Sequence, residues 1–258
     1  MNKLLKLLAL APLHLIRKII TVISNHAIPP KKELEIGVYR LYEEEQIRDS
    51  YNHFKKYFSE AIFLPTEYTT FPSMLEEIRE YAINEAILNH KPDYYYLEFG
   101  VWIGTSINQS SEILKTLKDV KIYGFDSFEG LRDDWKGHIL RKGAFNLSKQ
   151  IPPLNDNCVP VVGWIEDTLP QFIFENKDLK INYVHIDTDT YPTAKIILQL
   201  IKPYLVNNAI ILFDELYNFT GWRAGEYKAL IEEFTEEEYK FLVFAKRGSQ
   251  VVIQYNKI

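Results

Sequence analysis

From Pro92 onward the chain alternates short apolar runs with longer stretches of helical periodicity. Apolar runs at residues 94–99, 122–125, 159–162, 183–187, 210–213, 241–244 and 251–254 each have the length of one strand. They are hydrophobic almost throughout rather than alternating, which is the pattern of strands covered on both faces. Helical patterns fill residues 106–117, 193–201 and 223–234. This order predicts an α/β, Rossmann-like fold: a seven-stranded, mostly parallel sheet with helices on both faces. Lys246, Arg247, Gly248 and Ser249 between the last two strands read as a hairpin turn, giving the sheet an antiparallel C-terminal edge. Residues 128–158 lack periodicity and carry Trp135, Pro152 and Pro153, as a long functional loop does.

The first ninety residues follow a different pattern. Residues 31–61 are charged and mainly helical, residues 63–72 read as a loop, and Ser73 with Glu76 forms a capping-box signature for a helix reaching Asn89. Before Pro29-Pro30, Lys3, Lys6, His14 and Arg17 fall on one side of a helix wound at about 100° per residue. Leu4, Leu8, Leu15, Ile19 and Ile23 fall mostly on the other. Such a basic amphipathic helix either lies on an anionic membrane surface or packs on the domain or on a second subunit, and Pro12 would kink it. The apolar run 7–13 is too short to span a bilayer, and no secretory cleavage site is evident. The expected organisation is an amphipathic helix over 1–28, a helical extension or substrate-side cap over 29–91, and a catalytic α/β domain over 92–258.

Composition narrows the function. A formal net charge of −5 argues against broad nucleic-acid binding. The single cysteine, Cys158, excludes an internal disulfide and a cysteine-based zinc site. A cytoplasmic protein is expected, with peripheral membrane contact through residues 1–23 and homo-oligomerisation as open alternatives.

The chemistry concentrates at two strand ends. Tyr183-Val184-His185-Ile186-Asp187-Thr188-Asp189 and Ile210-Ile211-Leu212-Phe213-Asp214-Glu215 are apolar runs that stop abruptly in carboxylates. In a parallel sheet neighbouring carboxyl ends open onto one crevice, and four acids there repel one another unless a cation or a proton holds them. Glu98, Gly100 and Gly104 sit between the first strand of the alternation and its helix, where glycines allow close backbone approach and the helix offers free N–H groups. The dinucleotide fingerprint G-x-G-x-x-G is absent, which ranks a nicotinamide oxidoreductase last. Asp126 ends the second strand of the alternation, where a carboxylate either accepts from ribose hydroxyls or caps the strand end.

Taken together, these residues resemble the class I S-adenosylmethionine-dependent methyltransferases. More narrowly, they resemble the macrocin O-methyltransferase (TylF-like) family of metal-dependent sugar O-methyltransferases. The likeness rests on the stretches 97–106, 124–131, 163–170 and 185–191, then Phe213-Asp214-Glu215, Gly221-Trp222 and Gly225-Glu226, in the family's order. It implies that Glu98 and Gly100 contact the methionine part of the cofactor and Asp126 the ribose. Gly104 and Ser127 are counted with them, and Trp164 and Asp167 would lie near the adenine. Asp187, Asp214 and Glu215 look like ligands of Mg²⁺ or a similar divalent cation, and Asp189 like the general base. Thr105 and Glu215 depart from the family, which often has glycine and aspartate there. The implied function is O-methylation of a hydroxyl on a sugar, glycan or glycosylated natural product. The competing expectation is a non-catalytic binding module of a glycan pathway. His185 reads as a core histidine, His138 as a loop residue that either touches substrate or is merely exposed, Trp135 and Trp222 as either sugar-stacking or packing groups, and Glu236-Glu237-Glu238 as a solvated turn.

Overall fold

The computed structural model describes residues 35–64, 71–246 and 248–257. The amphipathic segment 1–28 lies outside the described residues. In chain order the elements are α1 (Glu35–Phe54), β1 (Ile62–Leu64), α2 (Phe71–Leu88), β2 (Tyr95–Phe99), α3 (Thr105–Leu114), β3 (Ile122–Asp126) and β4 (Cys158–Val162). There follow α4 (Ile165–Glu175), β5 (Ile181–Ile186), α5 (Tyr191–Ile201), β6 (Leu205–Phe213), α6 (Glu226–Glu233), β7 (Tyr239–Ala245) and β8 (Val251–Tyr255).

One sheet runs β1-β7-β8-β6-β5-β2-β3-β4. Only β8 is antiparallel to its neighbours, β6 and β7. The chain winds outward from β2 to β3 and β4, then crosses back to β5 and β6 on the other side of β2. A reversal of winding opens a crevice at the carboxyl ends of β2 and β5. Two apolar layers sandwich the sheet. Leu97, Phe99, Val184, Ile186, Ile211 and Phe213 pack toward α4, α5 and α6. Tyr96, Tyr183, Ile210 and Leu212 pack toward α2 and α3. Every residue of β5 is buried, Asn182 and His185 included, as a central strand covered on both faces requires.

Seven strands fall where the hydrophobic runs put them, and an eighth is added. Residues 63 and 64, read as loop, pair in parallel with Phe244 and Ala245 and make β1 the sheet's outermost strand. Three residues are too few to show a period, and the strand is defined by its partner alone. Helix α2 is already formed at Phe71, so Ser73 lies within it rather than capping it. Helix α4 has no counterpart in the pattern reading because Pro170, a helix breaker in sequence, sits inside it. The segment 236–238 is a 3₁₀ turn closed by a Thr235/Glu238 capping box. Two of its acids are paired, Glu236 with Lys56 and Glu238 with Lys202.

The extension is part of this core. Phe54, at the end of α1, is fully buried, with the rings of Tyr217, Trp222, Tyr227, Phe241 and Phe244 centred 5.0–5.8 Å away. Arg223 grips Asp49 with two bonds, Nε to Oδ2 at 2.7 Å and Nη2 to Oδ1 at 3.0 Å. Phe54→Ala is therefore expected to cost about 3–5 kcal/mol of unfolding free energy, read from urea denaturation, because it empties the centre of this aromatic cluster.

Candidate active site

Register places the functional side chains. Glu98, His185 and Leu212 are Cα partners across β2, β5 and β6, so their side chains share the α2/α3 face. Asp214, two residues beyond Leu212, continues that row. The ladder persists past the strand ends, with Asp187 N donating to Phe99 O at 2.9 Å and Asp214 N to Ile186 O at 3.0 Å.

The turn after β2 is held by tight packing. Gly100 has φ +91°, and a Cβ there would stand 1.8 Å from the Asp187 carbonyl oxygen. Gly104 has φ +82°, and its Cβ would meet Leu154 Cδ2 at 2.8 Å. Both glycines thus let the chain approach itself. Glu98 is fully buried and accepts a 2.6 Å bond from Ser106 Oγ. Asp126 accepts three backbone N–H bonds: Val101 and Trp102 at 2.8 Å on Oδ2, and Phe128 at 2.7 Å on Oδ1. A carboxylate has about four acceptor positions, so Asp126 ties the turn to β3 and keeps roughly one free. Ser127 is buried, its Oγ accepting from Glu129 N at 3.1 Å. Trp164 precedes α4, with the Arg132 guanidinium 5.4 Å from its ring centre, while Asp167 is exposed in the first turn of α4.

Across the crevice Asp187, Asp189, Asp214 and Glu215 converge. Ligand atoms of Asp187, Asp189 and Glu215 lie within 4.8 Å of one another, as do those of His185, Asp187 and Asp214. A fifth acid joins them. Glu226, fully buried at the start of α6, accepts the Glu215 N–H at 2.9 Å. Oε2 of Glu215 and Oε1 of Glu226 are buried with no hydrogen-bond partner. Oxygen donors left bare at this spacing suit a hard divalent cation.

The electrostatics separate these groups. Burial first, then repulsion from Asp214, pushes Asp189 up to about 7. The same two causes hold Asp187 and Glu215 well above the usual carboxylate range. Burial also raises Glu226 strongly. Burial pushes Asp214 up as well, but His185, Glu215 and Arg79 together outweigh it and keep its carboxyl low. Burial pulls His185 down, but Asp214 and Glu98 outweigh that and raise it to about 9.

Other expectations resolve plainly. Trp222 is fully buried and Trp135 is 8% exposed, so both are packing groups. Trp135 stacks on His138 at 4.1 Å between centroids. His185 is buried as a core histidine would be, but it stands between two carboxylates. Beside the turn, Ile103, Leu147, Ile151, Pro152 and Pro153 line an open hollow. A second hollow, with Lys91, Lys180 and Lys257, lies at the amino ends of the strands, away from this chemistry.

The architecture is that of a Rossmann-like methyltransferase fold. Residues 97–216 match the model of a family described as a methyltransferase domain. No curated protein matches the chain by sequence. Among solved structures, the calicheamicin methyltransferase CalS11 superposes with a TM-score of 0.61 at 19% identity, over 95% of this chain and 93% of that one. An apo structure of CalS11, described as a TDP-rhamnose 3'-O-methyltransferase, gives a TM-score of 0.55 at 17% identity, over 90% and 99%. The O-methyltransferase NovP gives 0.55 at 19% identity, over 71% and 79%. At these identities the likeness is one of fold.

The raised carboxylates fix a sign for pH. A folded-state pKa above the unfolded value means the folded protein holds the proton more tightly. That stability is complete below the ordinary carboxylate value and disappears as pH climbs to the folded one. For Asp189 the window runs from its ordinary value of 3.8 to about 7. In EDTA the wild type is expected to lose up to about 4 kcal/mol across this window from Asp189 alone, and Asp189→Asn to lose correspondingly less, as read from melting temperatures between pH 4.5 and 8.

Proposed function

We propose that the protein is an S-adenosylmethionine- and divalent-metal-dependent O-methyltransferase acting on a hydroxyl of a sugar or glycosylated metabolite, as the TylF-like resemblance implies. The observation that carries this reading is the meeting of two half-sites at one switch point. The Glu98–Gly104 turn lies directly against Asp187; its neighbours Asp189 and Glu215 are buried and Asp214 is half-buried, and burial with repulsion from Asp214 raises Asp187 and Glu215. The matched methyltransferase domain spans all of these residues. CalS11, of similar fold and described as a TDP-rhamnose 3'-O-methyltransferase, supports a sugar hydroxyl as acceptor.

When bound, the cofactor supplies an electrophilic methyl group and the cation lowers the pKa of a coordinated hydroxyl. Glu98 is the candidate partner for the cofactor's ammonium group, with Gly100, Gly104 and Ser127 lining its cradle and Asp126 offering its last acceptor position to the ribose. Trp164 and Asp167 are the candidates on the adenine side. Asp187, Asp214 and Glu215 would hold the cation. Asp189, with its carboxyl raised to about 7, accepts a proton near neutrality and is the candidate general base. Acceptors are expected to reach this crevice from the side of residues 128–158.

Calorimetric titration with S-adenosylhomocysteine is expected to give micromolar binding, and absence of binding would end the reading. With a glycoside acceptor found by screening, Asp187→Ala and Asp214→Ala should lower turnover by at least about a thousandfold while leaving cofactor affinity within a few fold. Turnover that survives EDTA would remove the metal from the mechanism.

A further inference from the structure

Among the described residues His185 is the basic side chain on the strand row that carries these acids, with the buried Arg79 charge acting on it from α2, and the proposed function gives it no role in binding or proton transfer. Its imidazole is completely buried. Nδ1 stands 3.1 Å from Glu98 Oε2, and Nε2 stands 3.8 Å from Asp214 Oδ1. Neither ring nitrogen makes an aligned hydrogen bond, and Glu98 Oε2 makes none either, so these pairs are close ionic contacts. The other oxygen of Glu98 is taken by Ser106, and Asp214 Oδ1 receives only a long 3.4 Å contact from Gln250 Nε2. Strand register makes the arrangement rigid, because Glu98 and His185 are direct partners on adjacent strands. A buried polar ring is costly unless it serves the acids it faces, and the two nearest its nitrogens on the strand row are Glu98 and Asp214.

We infer that His185 is a positioning residue that bridges the two half-sites, its Nδ1 edge orienting Glu98 for the cofactor and its Nε2 edge orienting Asp214 for the cation. This rests on the function proposed above and adds the group that joins its two parts. Supporting carboxylates through a second residue is worth about ten- to a hundredfold in metal affinity where it has been measured in other sites.

The ring's two edges can be tested separately. An asparagine amide reaches where Nδ1 is, and a glutamine amide reaches where Nε2 is. In calorimetry, His185→Asn is expected to keep S-adenosylhomocysteine affinity within about threefold while weakening Mn²⁺ at least about tenfold. His185→Gln should do the reverse, and His185→Leu should weaken both. Val184→Ala, altering the neighbour that faces the opposite layer, controls for plain loss of packing and should move neither. If one amide variant fails to fold, the other and the leucine variant still carry the contrast. Equal effects of both amides on both affinities, or no effect on either, would overturn the bridge alone. A wild type that binds no S-adenosylhomocysteine would overturn the methyltransferase reading and the bridge with it.

Discussion

The contact between Gly100 and the carbonyl of Asp187 sets the geometry of everything around it. Two parallel strands lie about 4.8 Å apart, and a turn leaving one of them can cross the end of the other only where no side chain intervenes. Gly100 supplies that gap at φ +91°. Because the turn crosses there, the carboxylate of β2 and those beyond β5 and β6 share one crevice instead of standing on separate ledges. Asp126 strengthens the crossing from the other side by accepting the N–H groups of Val101 and Trp102. A residue that reads as a ligand contact in sequence is here first a device for shaping the turn.

The acids past β6 depend on a second support. Asp214, Glu215 and Glu226 flank an irregular segment that no strand ladder holds. Ser249 O accepts from Leu216 and Tyr217, Ser50 Oγ accepts from Asn218, and Asp49 grips Arg223. Two of these four contacts come from α1, outside the stretch that matches the methyltransferase domain. The extension therefore acts on the site through the loop it clamps. Phe54 and Trp222 are buried against each other beside that loop, with ring centres 5.5 Å apart.

Much of this was legible in the sequence, for identifiable reasons. Strands β2 to β8 announce themselves because each must be apolar on both faces, and the acids stand out because they end such runs. Glu226 stood out only as part of the resembling stretch Gly225-Glu226, with no role attached to it. It begins a helix like any acid suited to an N-terminus, and only the fold turns it toward Glu215. His185 was legible as buried but not as a bridge, since bridging depends on which strands are neighbours, and β5 and β2 are far apart in the chain. Strand β1 and helix α4 were hidden for opposite reasons, one too short to carry a period and the other interrupted by Pro170.

The division of labour among the acids follows from their surroundings rather than their type. A carboxylate that exchanges a proton should titrate near the working pH, whereas a bound cation would keep its ligands ionised against the burial and repulsion that raise Asp187 and Glu215 without it. Asp214 and Asp189 sit in the same crevice, yet His185 holds the first low while burial and that neighbour's charge lift the second to about 7. Groups of one chemical kind pushed apart in this way mark distinct roles in acid–base chemistry. An apolar core would have been more stable at these positions, because buried charges that are only partly paired seldom strengthen a fold. Their concentration at a switch point, beside a turn shaped by glycine, is therefore best explained by the ion and the proton they are proposed to handle.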